Sequence, residues 1–523
     1  MIWHIFKKDW KLLWRFAACF AALHVVLNVA WLSLGRFYQA RFDGVAYGSG
    51  WLPGRGLFVV NVLPIIALLG SAFLITAIVH QDAIPGVRQD WLVRPIRRRD
   101  LLLAKLVSVL VMVQAPIFLA DLAQGLAGGF PLAQSAGAAF SRSVYLLLGF
   151  GLPLLAFASL TKNFMEAIAG GVAVVLGVSM VSMLSPGLSG ALFLVGPALA
   201  WVDASMRIAI LVAGAAALLG MQYYLRKTIL SRWLMAGVVL LYLLAPVVRW
   251  QSAFALEQRL SPNTSAGNPV SIRFEPNREA LADRQVGPFN YRTFGEVFIL
   301  LPVRGVGVPD ESVLTGEFST VRLVLPDGQV QNLGHQQGFQ IWKEQPGDGE
   351  KAITWGIRVP RAVYQRIADQ PVRVEIDYSL TLMRLKESQT IPASGGDQRT
   401  AQLGWCGTKA DDAGLLVQYA CFRTGELGCT SVVLEHKPSG ARNPGNRLCR
   451  PDYAPYRYRY SPSILNRFTI ELPFTDASVA DAKAVKASMV GEATVTARAY
   501  EAQAHFVRQV VIPEIRLKEW ATE

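Results

Sequence analysis

The chain has 523 residues, 52% of them hydrophobic and 17% charged, and a formal net charge of +13. Soluble proteins hold about a quarter of their residues as charged types, so a soluble enzyme throughout is excluded. Residues 1–250 hold 20 Lys and Arg against 8 Asp and Glu, a balance of +12, whereas residues 251–523 hold 31 against 30, a balance of +1. The positive excess lies between long apolar stretches, the pattern of a polytopic membrane protein rather than of a nucleic-acid binder.

At the N-terminus, Ile2, Phe6, Trp10, Leu13 and Trp14 recur at helical spacing among Lys7, Lys8, Lys11 and Arg15. This predicts an amphipathic elbow helix over 2–15, with Trp3, Phe6, Trp10 and Trp14 at the membrane interface, before the chain turns into the first span. A basic, Trp-anchored start to span one is the alternative. No small-residue cleavage site precedes soluble sequence, so a cleaved signal peptide is not expected.

Crossing about 30 Å of hydrocarbon takes roughly 17–25 apolar residues as a helix. Stretches of this kind lie at 16–34, 57–79, 101–120, 144–161, 165–184 and 208–225, with a shorter one at 233–248. The segment 189–201 is apolar but short and broken at Gly196-Pro197, which predicts a re-entrant segment, with an eighth span as the alternative. With seven spans, the basic clusters at 7–15, 88–99, 162 and 226–232 all fall on the cytoplasmic side. Residues 251–523 are then extracytoplasmic.

The loop over 81–100 sets Trp91, Leu92, Val93 and Ile96 among Arg94, Arg97, Arg98 and Arg99, with Pro95 in the middle. An apolar ridge with a basic collar suits a groove on another protein. The alternative is that the arginines only fix topology and touch lipid phosphates. Polar residues in the spans are few: His24, Asn28, Asn61 and Gln114, with Asp121, Glu166 and Asp203 near ends. An ion-driven pump normally places ionisable groups at membrane depth, so energy for transport is expected from a partner. The chain contains no G-x-x-x-x-G-K-[ST], H-E-x-x-H or G-x-S-x-G, and its six histidines are scattered. No catalytic residue, metal site or cofactor of its own is expected.

Beyond Gln251, 61 of 273 residues are charged and period-2 apolar alternation replaces the long runs. Strands are predicted at 320–325, 372–378, 468–472 and 493–500, a turn at Asp327-Gly328, a linker over 252–269 and a helix over 478–490. The expected fold is thus an α-helical polytopic membrane domain of about seven spans (1–250), followed by a mainly β extracytoplasmic domain (251–523). One or two β-sandwich modules, divided near 389–398, would make up the latter. Cys406, Cys421, Cys429 and Cys449 form an even cluster that predicts two disulfides, with three pairings open.

The order of these features resembles the permease subunit of an ABC-2 type (type V exporter-like) ABC transporter over roughly residues 1–225. The shared features are the elbow, two spans, the basic W-L-V-R-P-I-R-R-R-D-L-L-L-A-K segment and a Gly/Pro-broken insertion before the sixth span. The resemblance implies that 81–100 is a coupling loop whose Trp91, Arg94, Pro95, Arg97 and Arg98 contact a separate ABC ATPase. ATP and Mg would belong to that partner. It further implies a second permease copy or homologue, export of a lipid, peptide or other amphipathic compound, and a place for 189–201 near the substrate exit. Typical members end after six spans with the C-terminus inside, whereas here a seventh span and an outer domain follow. The expected location is the inner (cytoplasmic) membrane, multi-pass, with 251–523 periplasmic, membrane lipids as contacts and no nucleic acid. The alternative function is a membrane-anchored sensor or scaffold whose outer β-domain binds an envelope component.

Overall fold

A computed structural model describes residues 1–40, 62–82, 97–177, 200–244, 250–277, 295–344, 352–401, 403–410, 416–424, 429–449, 463–474, 485 and 487–522. The first half is helical: α1 (Ile2–Ala40), α2 (Leu63–His80), α3 (Arg98–Ala127), α4 (Leu132–Ala158), α5 (Phe164–Gly177), α6 (Ala200–Gly220) and α7 (Thr228–Leu244). Among the described residues, five helical stretches are long and apolar enough to cross a membrane: Ile2–Ala30, α2, α3, α4 and Ser205–Leu225. Helices α5 and α7 are shorter apolar helices. Of the re-entrant segment, 189–199 lies outside the described residues.

Prolines explain two irregularities in the bundle. A π turn at Leu110–Gln114 in α3 immediately precedes Pro116, and another at Leu147–Gly151 in α4 precedes Pro153. Proline has no N–H and its ring crowds the carbonyl four residues back, so a local widening lets the helix continue. Helix α5 starts on a side-chain cap: Asn163 Oδ1 accepts from the Glu166 amide at 2.8 Å, and the Lys162 amide donates to Glu166 at 2.6 Å.

Three elements differ from expectation. Helix α1 is continuous from Ile2, so the chain does not turn after Arg15 and the predicted elbow residues share one helix with span one. No Gly or Pro occurs between residues 2 and 34 to interrupt the ladder. Helix α4 begins at Leu132 rather than near 144, because its first turns are helical yet amphipathic and escape an apolar-run criterion. The predicted linker instead starts as a helix, α8 (Trp250–Leu260), whose Phe254 is buried against His505.

The second half is mainly β, with three antiparallel sheets among the described residues. The first centres on β2 (Glu296–Val306), which pairs with β1 (Ser271–Phe274), β5 (Ile353–Pro360) and β14 (Ala521–Thr522). The second has the order β11-β10-β13-β6-β3-β4, formed by β3 (Ser312–Val324), β4 (Val330–Lys343), β6 (Pro371–Pro392), β10 (Cys429–His436), β11 (Ala441–Leu448) and β13 (Thr494–Arg516). The third has the order β12-β9-β8-β7, formed by β7 (Gly396–Thr400), β8 (Gly404–Ala410), β9 (Leu416–Thr424) and β12 (Leu465–Pro473).

Strands β6 and β13 have 22 and 23 residues and pair almost end to end, a ribbon about 70 Å long at 3.3 Å per residue. Ile376, Leu380 and Ile512 share one apolar core with Ile299 and Trp355 of the first sheet. Ile391, Val495 and Ala497 share another with Tyr419 and Ile470 of the third. The sequence break at 389–398 coincides with the turn from β6 into β7, yet the ribbon runs through both cores. The predicted strands at 372–378 and 468–472 lie within β6 and β12, those at 320–325 and 493–500 overrun β3 and β13 by one residue each, and Gly328 at φ +81 turns β3 into β4. Of the predicted helix over 478–490, only a 3-10 turn at Ala487–Met489 is described beyond isolated residues.

The cysteines resolve into Cys406–Cys421, directly opposed on β8 and β9, and Cys429–Cys449, which joins the start of β10 to the residue after β11. Cys19, in α1, is free.

Candidate functional site

Four charges from three stretches of the chain meet where α2 ends and α3 begins. Asp82 lies two residues beyond the end of α2, and Lys105 lies in the second turn of α3. Lys105 Nζ donates to Asp82 Oδ2 at 2.7 Å and to Asp9 Oδ2 of α1 at 2.9 Å. Lys8 Nζ reaches the other Asp82 oxygen at 2.6 Å. The side chains of Lys105 and Asp9 are 1% and 0% exposed, and Ile5, Ile78, Leu101 and Tyr223 are buried in the same helical core. Burial pushes the Asp82 carboxyl up, but Lys105 and Lys8 outweigh it and hold it below its ordinary range.

The cluster ties together α1, the residues that end α2 and the second turn of α3. A buried pair of this kind is a poor source of net stability but is strongly destabilising to break. It therefore fixes a geometry: the end of α2 and the start of α3 cannot separate without exposing or orphaning a charge.

The same end of the bundle gathers further basic groups. Arg98, at the start of α3, donates to the Tyr224 carbonyl at the end of the π turn that continues α6. Cationic groups are favoured at such helix C-termini. Arg226, in the left-handed conformation at φ +56, then turns the chain into α7. From α7, Arg232 donates to Leu160 O at 3.2 Å and to Glu166 at 2.6 Å, while His80 and Thr161 join α2 to the end of α4 at 2.9 Å. Arg97 and Arg98 of the predicted coupling loop are exposed here. Trp91, Arg94 and Pro95 lie outside the described residues. Trp3, Trp10 and Trp14 are exposed along α1, whereas Phe6 is buried in the core beside the cluster.

No family model matches the chain, and no curated protein matches it. Among solved structures, a crystal structure of red sea bream transglutaminase aligns with a TM-score of 0.13 and 9% identity, covering 46% of this chain and 31% of that one. A likeness at that level carries no argument about fold or chemistry.

Asp9, Asp82 and Lys105 are not among the functional residues expected from the sequence. The available signal was position: Asp9 lies four residues from both Ile5 and Leu13, and Lys105 four from Leu101, so each occupies the buried stripe of its helix. Opposite charges on two apolar stripes predict a pair.

In the β half, a Ser–His–Glu contact set occurs at the turn between β10 and β11. Ser439 Oγ lies 2.7 Å from His436 Nδ1, and Glu492 lies 3.6 Å from His436 Nε2. The same hydroxyl also contacts the His436 carbonyl and the Ala441 amide, and the Glu492 side chain is 75% exposed. This geometry fastens a hairpin turn; it presents no nucleophile to a cleft. Among the described residues, no group of three or more His, Cys, Asp or Glu side chains is placed to hold a metal ion.

Proposed function

We propose that the chain is the transmembrane permease subunit of an ATP-driven exporter of the ABC-2 type, driven by a separate ATPase docking on the loop over 81–100. The observation that carries this is the Asp82–Lys105–Asp9 cluster, which clamps both ends of that loop to α1, α2 and α3. A push on a loop anchored this way is delivered to three helices at once instead of being absorbed by its hinges. Exposed Arg97 and Arg98 beside the clamp suit the rim of a docking contact. In this reading the basic end of the bundle faces the cytoplasm, and the β half forms two sandwich modules in an oxidising compartment, which suits the disulfides.

The test is affinity purification of the full chain from its native membrane in mild detergent. A P-loop ATPase should co-purify and hydrolyse ATP, and the combined Arg94→Glu, Arg97→Glu and Arg98→Glu variant should lose it by at least about tenfold. Retention of the ATPase and of ATP-driven transport by that variant would sink the coupling role. The sensor or scaffold reading draws on the β half being docked against the bundle. An envelope ligand bound by the full chain, with no ATPase recovered, would favour it.

A further inference from the structure

At the other end of α3, the β half is fastened to the turn between α3 and α4. Arg399 of β7 donates to the Gly129 carbonyl at 2.5 Å and to the Gly128 carbonyl at 3.0 Å. Phe130 packs with Ile464 and Leu465 at the start of β12. Ser463 Oγ donates to Gln124 Oε1 of α3 at 2.7 Å, and Gln124 Nε2 donates to the Asn28 carbonyl of α1 at 3.3 Å. One helical turn deeper, Arg142 of α4 is ion-paired with Asp121 of α3.

The cluster is fully inside the protein: Asp121 is 0%, Gln124 2%, Asn28 3% and His24 4% exposed. Among the described residues, neither ring nitrogen of His24 has a hydrogen-bond partner, and the ring is packed edge-on against Phe20. Desolvating an ion pair costs several kcal/mol per ion, and apolar side chains of similar volume would often hold these helices as well or better. An ionisable pair retained inside an apolar bundle points to a role beyond packing. A partly satisfied polar network is also a poor permanent cement, because each unmet group favours a rearrangement that meets it.

We propose that Asp121–Arg142 is a latch between α3 and α4 which the β half senses through Gln124 and Ser463, so that opening this end of the bundle and displacing the β half are one event. The contacts form a continuous chain: Arg142 to Asp121, then Gln124 one turn along the same helix, then Ser463 on the one side and Asn28 of α1 on the other. Arg399 holds the helix turn against the same strands, and its guanidinium meets carbonyls at the C-terminal, partially negative end of α3. The latch goes beyond the permease reading and does not depend on an ATPase or a cargo.

The test uses the full chain with Cys19→Ser in lipid nanodiscs, spin-labelled in pairs at exposed positions. Val29→Cys with Phe140→Cys reports the separation of α1 and α4, and Phe140→Cys with Val330→Cys reports the β half. Arg142→Gln should shift or broaden both distance distributions by about 5 Å, the scale of one helical turn. The exchanged pair, Asp121→Arg with Arg142→Asp, should return both toward the parent. Should Arg142→Gln fail to fold, Ser463→Ala with Arg399→Ala leaves the ion pair intact, and both distributions should again move together. A change confined to one pair of labels, or to neither, in a folded variant would overturn the latch. These readouts need no ATPase, so they stand or fall separately from the docking experiment.

Discussion

Replacing Lys105 by Met isolates the charge of the loop-base clamp. The unbranched side chain keeps most of the apolar stem and volume, so contacts with the surrounding core are largely retained. What changes is electrostatic. Lys8, Asp9, Asp82 and Lys105 sum to zero, and the variant leaves two carboxylates facing one cation. Asp82 keeps Lys8 at 2.6 Å, whereas Asp9, with a side chain 0% exposed, loses its 2.9 Å partner. Removing one member of a buried pair costs about 3–5 kcal/mol. Asp9→Asn alone should cost less, about 1–3 kcal/mol, because Lys105 retains Asp82 at 2.7 Å. Asp9→Asn with Lys105→Met should be less damaging than the two single losses added together, with a coupling of roughly 1–3 kcal/mol. The assay is SDS-induced unfolding in mixed micelles, followed by helical circular dichroism and compared across the four proteins. A Lys105→Met protein within about 1 kcal/mol of the parent, or strictly additive single effects, would refute the clamp.

Three further outcomes follow from the β half and its junction. Gly129→Ala places a methyl group into the Arg399 guanidinium and forces φ +77 on a residue with a side chain, so it should cost about 1–2 kcal/mol; amide exchange at 128–130 and 463–465 should rise, and unchanged protection would count against the docking contact. Glu344 is buried, which pushes its carboxyl up, but Ser431, Arg447 and Arg442 outweigh burial and hold it below its ordinary range. Its stabilising contribution is therefore complete above its unfolded value of about 4.3 and is lost as pH falls through the lower folded value; Glu344→Gln should reduce that acid-sensitive part of sheet stability, and identical acid titrations by circular dichroism would refute it. Non-reducing peptide mapping should recover the links Cys406–Cys421 and Cys429–Cys449 with Cys19 alkylated, and another pairing would contradict the β8–β9 register.

Local patterns carried most elements of the fold and few of its long connections. Apolar runs marked the bundle helices, and alternation marked β6 at 372–378 and β13 at 493–500. Their pairing joins residues more than a hundred positions apart, so no window of sequence contains it. Strand length was equally hidden: β6 runs for 22 residues because Met383–Pro392 continues the ribbon after the cleanly alternating part ends. The boundary of α4 was missed for a related reason. Residues 132–143 include Ser, Gln and Arg, and only the helix they form shows that Ser135, Ala139 and Arg142 line one buried face.

The segment 81–100 stood out because its charge is concentrated, whereas the groups that pair at its two ends are single charges inside apolar stretches. Asp9 sits among lysines, where charge counting treats it as dilution of a basic cluster. Lys105 follows three leucines and an alanine, where a hydropathy average absorbs it. Each becomes informative once its helical phase is taken into account, since an acid on the buried stripe of α1 requires a partner from another helix and the base on the stripe of α3 supplies one. The same argument applies to Asp121 and Arg142, which lie on the buried faces of adjacent helices. Lys105 and Asp121 are about 24 Å apart along α3 at 1.5 Å per residue. One helix therefore carries an ionic contact near each end, one at the base of the loop and one beneath the β half. Phase, rather than net charge, distinguishes these four residues from the surface arginines that set the overall +13.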